Sequence, residues 1–168
     1  QIRGGLAQSA IVGECFLSGI TGSSVADCAA LSRVFVPQLT RAGYGSGFSA
    51  ALVASSATLG PIIPPSILAV IYAWQANASL GGLFWAGVFP GLVMALAMML
   101  LTSYIAHKRQ FPKDQPFAWS RFISGAREAG WALFMPVLVL GGFWMGVVTA
   151  TEIGGVAVAY SLIVGMFV

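Results

Sequence analysis

The stretch from Ser55 to Ser66, Ser-Ser-Ala-Thr-Leu-Gly-Pro-Ile-Ile-Pro-Pro-Ser, lies inside an apolar run that otherwise reads as helix, and Pro61, Pro64 and Pro65 forbid a continuous one. Proline brings no amide hydrogen and clashes with the preceding turn, so the carbonyls of Ala57, Gly60 and Pro61 lose their helical donors. Gly60 and Ile63, each directly ahead of a proline, are pushed toward extended backbone. The flanking segments, 47–59 and 65–75, then become two half-helices. Each spans under about 20 Å, and only the pair is long enough to cross a hydrocarbon layer of about 30 Å. Broken backbone at membrane depth survives only where protein or a polar cavity satisfies it, so the chain has to supply partners for this break.

The lipid setting follows from composition. With 58% hydrophobic and 8% charged residues and a mean hydropathy of +0.87, the chain lies far from soluble domains, which carry about 25% charged residues. Its apolar runs lack the alternation of barrel strands, which leaves the helical class of membrane protein. Gln1 at the start and an apolar run cut at Val168 read as a fragment of a longer chain. The net charge of +3 reads as membrane topology rather than as affinity for nucleic acid. Cys15 and Cys28 lack metal or redox spacing and read as buried free thiols.

Residues 1–42 read as a re-entrant helical hairpin, with limbs 6–20 and 25–39 joined by the turn-forming tip Thr21-Gly22-Ser23-Ser24. Each limb reaches only about 22 Å. Residues 43–79 hold the glycine-rich linker and the broken helix, with the break at 57–65. Gly43-Tyr44-Gly45 is preceded by Arg41-Ala42 and not by the Thr-Val of a potassium filter, so it reads as a loop. Residues 80–106 form a full span, and 107–130 a basic loop with an amphipathic interfacial helix over 117–130. Residues 131–168 hold a further span, a turn at Thr149-Ala150-Thr151-Glu152 with Thr151 as N-cap, and the start of another span. Counting crossings from Arg3 puts all eight Lys and Arg residues on one face, which the positive-inside rule makes the cytoplasm.

A hydroxyl-rich hairpin tip beside a discontinuous helix is the arrangement from which secondary carriers build sites at mid-membrane. Freed carbonyls with Ser and Thr hydroxyls make a nearly neutral oxygen cage, suited to a monovalent hard cation such as sodium. A half-helix beginning at Pro65 would aim its positive end at an anionic substrate. Asp27 reads either as a cap on the tip or as part of the site, and Glu14 as a carboxylate near the hairpin flank. Two other classes compete: an ion channel and an intramembrane hydrolase. His107, the only histidine, sits among basic residues at a membrane edge, and there is no Gly-x-Ser-x-Gly and no P-loop.

Thr21-Gly22-Ser23-Ser24-Val25-Ala26-Asp27 followed by Gly60-Pro61-Ile62-Ile63-Pro64-Pro65-Ser66-Ile67 resembles the large membrane subunit of tripartite ATP-independent periplasmic (TRAP) transporters. The resemblance continues through Gly43-Tyr44, Ser55-Ser56, Thr149, Thr151 and Glu152, and departs from the family pattern at Ala150 and Ile153-Gly154-Gly155. It implies an all-α integral membrane protein that is one half of an inverted-repeat, elevator-type transporter. The implied activity is sodium-driven import of an organic-acid anion, such as a dicarboxylate or sialic acid, across a bacterial or archaeal inner membrane. The implied partners are a small membrane subunit and a periplasmic substrate-binding protein. Together, the residues and the resemblance assign sodium to Ser23, Ser24, Asp27, Ala57, Thr58, Gly60 and Pro61. They assign substrate to Ser24, Ser55, Ser56, Pro64, Pro65 and Ser66.

Overall fold

The computed structural model describes residues 4–111, 123, 125, 127, 129–146 and 149–167, and every regular element among them is helical. The chain divides into two units, residues 1–117 and 118–168.

In the first unit, α1 (Gly5–Thr21) and α2 (Ser24–Arg41) form a helical hairpin. Gly22 turns the chain at a left-handed φ of 58°, donating its N–H to the Ser18 carbonyl at 3.0 Å. Only glycine takes that conformation without a Cβ penalty. Gly13 faces the Phe35 ring, and the Thr21 hydroxyl reaches Asp27, so the limbs run antiparallel. Cys15 and Cys28 are free and half-buried, more open than the sequence suggested, because each lies toward a hairpin flank and not at its seam.

The broken helix follows as α3 (Ser46–Ser56), a 3₁₀ turn (Ala57–Leu59), irregular turns to Ser66, and α4 (Ile67–Ala76). Asn77 ends α4 in the left-handed region, and Ser79 caps α5 (Leu80–Lys108), accepting from the Gly82 N–H at 3.3 Å. Among the described residues α5 is the one helix long and apolar enough to cross a membrane alone, with a mean hydropathy of 2.1. The core lies where α1, α3 and α5 meet, around Ile11, Leu52, Leu59 and Ala95. The Gln8 side-chain amide ties α1 to α5 by donating to the Met99 carbonyl at 2.8 Å. Tyr44, in the loop, stacks into this core against Phe48 and Phe111.

In the second unit α6 (Gly130–Trp144) packs on α7 (Ala150–Phe167), and the Tyr160 hydroxyl donates to the Trp131 carbonyl at 2.6 Å. The cap of α7 is Thr149 rather than Thr151. Glu152 N–H donates to the Thr149 hydroxyl oxygen at 3.4 Å, and Thr149 N–H donates to the Glu152 carboxylate at 2.8 Å. This reciprocal capping box needs residues three apart, and 149 and 152 meet that spacing where 151 does not. Arg3 and most of the expected interfacial helix lie outside the described residues.

Candidate functional site

The hairpin tip and the break are locked together. Ile67 N–H donates to the Gly22 carbonyl at 3.4 Å, and a Cβ on Gly22 would stand 2.6 Å from the Pro65 carbonyl oxygen. From the other side α5 presses on the same turn. A Cβ on Gly87 would meet the Ile62 carbonyl oxygen at 2.5 Å, and one on Gly91 would meet Ile63 Cγ1 at 2.7 Å. Gly87 and Gly91 are spaced for close helix approach. Reading that span by length alone misses the pair, whose Gly-xxx-Gly spacing was the available signal.

The break leaves fewer bare carbonyls than proline chemistry suggests. The Ala57 carbonyl accepts the Gly60 N–H at 3.2 Å, because the chain tightens into a 3₁₀ turn instead of opening. The Pro61 carbonyl accepts the Ser66 hydroxyl at 2.6 Å. Among the described residues the Gly60 carbonyl takes no such bond.

The second half-helix begins at Ile67, two residues later than expected. Pro64 and Pro65 are joined by a cis peptide bond, and Ser66 is the N-cap, its hydroxyl accepting from the Ala69 N–H at 3.3 Å. With the Ile67 amide on Gly22 and the Ala69 amide on Ser66, two donors at this helix start are spent inside the chain. Ser66 is 2% exposed and Pro64 buried, while Pro65 is partly exposed.

The carboxylates lie deeper than the sequence suggested. Asp27 is fully buried; its Oδ1 accepts the Thr21 hydroxyl, and its Oδ2 has no hydrogen-bond partner. A Cβ on Gly60 would overlap that Oδ2. No backbone amide among the described residues donates to Asp27, so it does not cap the tip in the expected way. Glu14 is not at the hairpin flank but fully buried, with both carboxyl oxygens unpartnered and the Asp27 carboxyl as neighbour. Its helix faces the return limb at this level, which places a long side chain inside the hairpin.

Most of the expected cation residues line two cavities beside the tip and the break, and Gly60 brings Ser24 and Ala57 close to Asp27. Ser24, Ala57 and Thr58 line one cavity of 470 Å³ with Val25, Cys28 and Ser32. Ser23, Ser24 and Pro61 line another of 230 Å³ with Gly22 and Ile67. Thr58 donates its hydroxyl to the Ser55 carbonyl at 2.6 Å. Ser55 and Ser56 stand apart: the Ser56 hydroxyl is buried on the Leu52 and Val53 carbonyls, and Ser55 lines a separate cavity against α5.

The family model described as "Tripartite ATP-independent periplasmic transporter, DctM component" matches residues 1–168. The chain belongs to this family. It is 38% identical over 167 residues to a C4-dicarboxylate TRAP transporter large permease protein of Pseudomonas aeruginosa, covering 99% of this chain and 39% of the relative. It is 36% identical over 165 residues to the sialic acid TRAP transporter permease protein of Haemophilus influenzae, covering 98% and 27%. It is 40% identical over 169 residues to an isethionate TRAP transporter permease protein of Oleidesulfovibrio alaskensis, covering 99% and 26%. The chain thus spans under two fifths of the length of these relatives, which are TRAP permeases and not enzymes.

Proposed function

We propose that this chain builds one half-site of a sodium-coupled importer of organic-acid anions. The anion is delivered by a periplasmic binding protein, and the chain works with a small membrane subunit in a bacterial or archaeal inner membrane. The observation that carries the sodium assignment is the Asp27 Oδ2, buried without a hydrogen-bond donor and held against Gly60 at the break. A buried carboxylate oxygen without a donor is costly, and a cation offsets that cost. The Ala57 carbonyl oxygen and the Ser24 backbone flank the same point beside Gly60, and the reading assigns oxygens of Ser23, Ser24, Ala57, Thr58, Gly60 and Pro61 to the ion as hard donors of the kind sodium takes. Substrate is assigned to the open side of Ser24, where the 470 Å³ cavity lies. The hairpin enters and leaves by the cytoplasmic face, and an inverted repeat beyond Val168 supplies the other half-site, the two moving as an elevator.

The thermodynamics suffice. Two sodium ions entering with one monovalent anion carry one net charge, worth about 2.3 kcal/mol at 100 mV. A tenfold sodium gradient adds about 1.4 kcal/mol per ion, which together sustains an accumulation on the order of several thousand-fold. Uptake of labelled anion into proteoliposomes holding the full transporter, with the binding protein outside, tests this. Replacing sodium by potassium or choline is expected to abolish uptake, and undiminished uptake overturns the coupling.

A further inference from the structure

Between α3 and α5 lies a cavity of 190 Å³ that the transport reading leaves unused. Its walls are Phe48, Ala51, Leu52, Met98, Leu101 and Ile105, with Ser55 and Thr102 adding hydroxyls. From Met98 to Ile105 it follows α5 for about 10 Å. Just beyond Ile105, α5 ends in exposed His107 and Lys108, with Arg109 as its C-cap. The Arg109 guanidinium carbon stands 6.0 Å from the centroid of the Phe48 ring, which is itself a cavity wall. Phe48 packs in turn on Phe111 at 5.1 Å, and the buried Tyr44 on Phe111 at 4.5 Å, so the Phe48 wall is held from the core side. Neither Lys108 nor Arg109 forms an ion pair among the described residues.

We propose that this cavity and its basic rim form a binding site for an anionic phospholipid. One acyl chain lies along Met98–Ile105, and the phosphate sits on Lys108 and Arg109. Charge decides the occupant. Two cations at the end of the helix that walls an apolar slot, without an ion pair among the described residues, match a negatively charged headgroup beyond a hydrocarbon chain, and basic pockets between membrane helices on the cytoplasmic side bind such headgroups. Each cation near the surface favours an anionic over a neutral lipid by roughly fivefold, so the pair gives a preference of at least about tenfold. The proposal rests on the topology read from the basic residues and is independent of sodium coupling.

The test uses the full transporter purified in detergent and incubated with dioleoyl phosphatidylglycerol or dioleoyl phosphatidylcholine. Retained lipid is counted by native mass spectrometry. Phosphatidylglycerol is expected to be retained about tenfold over phosphatidylcholine, and K108Q/R109Q, on exposed side chains, is expected to bring the two level. A phosphatidylglycerol carrying a diazirine in its acyl chain is expected to label the peptide containing Met98–Ile105. Equal retention of the two lipids, a preference that survives K108Q/R109Q, or labelling elsewhere overturns the site. So does an unlabelled peptide, which would mean that another part of the transporter fills the cavity. Maleimide labelling of a Lys108→Cys variant from either side of the membrane reports the topology separately, so a wrong sidedness is distinguishable from an absent site.

Discussion

Gly60→Ala probes the contact on which the half-site depends. Gly60 has φ −51° and ψ −49°, so it stays helical where the proline after it predicted extended backbone; glycine tolerates this ahead of Pro61, and an alanine Cβ there meets the proline ring. To that backbone cost is added one of space. The new methyl would overlap Asp27 Oδ2 while standing 3.2 Å from the Ser24 amide nitrogen and 3.3 Å from the Ala57 carbonyl oxygen. The two backbone neighbours hold the methyl in place, so the Asp27 carboxylate has to move. Overpacking of this kind costs about 1–3 kcal/mol. Because the displaced atom is the proposed sodium ligand, the half-saturating sodium concentration for uptake is expected to rise about tenfold, the equivalent of about 1.4 kcal/mol. Thermal unfolding of the full transporter in detergent and sodium titration of uptake measure the two effects. Gly47→Ala is the control: a Cβ there meets nothing within 4 Å, and alanine in a helix gains up to about 1 kcal/mol over glycine. Combining Gly60→Ala with Asp27→Ala removes the clash, so the double variant is expected to lose less stability than the sum of the singles. An unchanged sodium titration in Gly60→Ala, or strict additivity in the double variant, would refute the contact.

Ser66→Ala is expected to lower stability by about 1–3 kcal/mol, because a buried cap and the Pro61 carbonyl both lose their partner; substrate affinity among folded molecules should stay unchanged, and a selective loss of affinity would restore Ser66 to the substrate site. Glu14→Ala deprives no donor of its partner, and removing the carboxyl beside Asp27 is expected to shift the sodium half-saturation by about threefold or more; an unmoved titration would make Glu14 a spectator. At α7, the Thr149 N–H and then its hydroxyl hold the exposed Glu152 carboxyl below its ordinary range. A lowered folded-state value means that the capping contribution is present above the ordinary carboxylate range and is lost as pH falls through the lowered value. Protection of the first-turn amides of α7, taken relative to their intrinsic exchange rate at each pH, should therefore fall in acid, and Thr149→Val should remove that fall; protection that ignores pH in the parent protein would count against the box.

Much of this architecture is legible in the residues because proline, glycine and charge act locally. Three prolines fixed the end of α3, and the tip from Thr21 to Ser24 fixed the turn between α1 and α2. What escaped is whatever depends on a second segment. The Ala57 carbonyl finds its donor in Gly60, ahead of the first proline, through a tightened turn, and the Pro61 carbonyl finds one in the Ser66 hydroxyl beyond the last, neither of which a count of missing amides anticipates. Glu14 looked peripheral because a single helix gives no sign of which face its hairpin partner covers. Its depth follows from the register of α1 on α2. Ser55 and Ser56 are adjacent in sequence but leave α3 about 100° apart, so one chain position separates a residue against α5 from one buried in the helix's own shadow.

The lock between tip and break also bears on how a site like this changes sides. If the hairpin tip were a gate, it would have to lift from the break, giving up the Ile67–Gly22 hydrogen bond and exposing the Pro65 carbonyl now sealed against Gly22. Asp27 would leave Gly60 in the same step, opening the proposed cation cage in either direction. A displacement of tip, break and α5 together keeps every one of these contacts, since Gly87 and Gly91 clasp the break from behind. Rigid-body movement is therefore the less costly route. Ser23 and Leu68 line the same small cavity on opposite sides of the lock. With Cys15 and Cys28 replaced by alanine, a short bifunctional thiol reagent bridging Ser23→Cys and Leu68→Cys is expected to leave sodium-driven uptake largely intact, because it ties together parts that move as one. Loss of uptake on bridging, restored when a cleavable bridge is reduced, would show that the tip has to open and would overturn rigid-body movement.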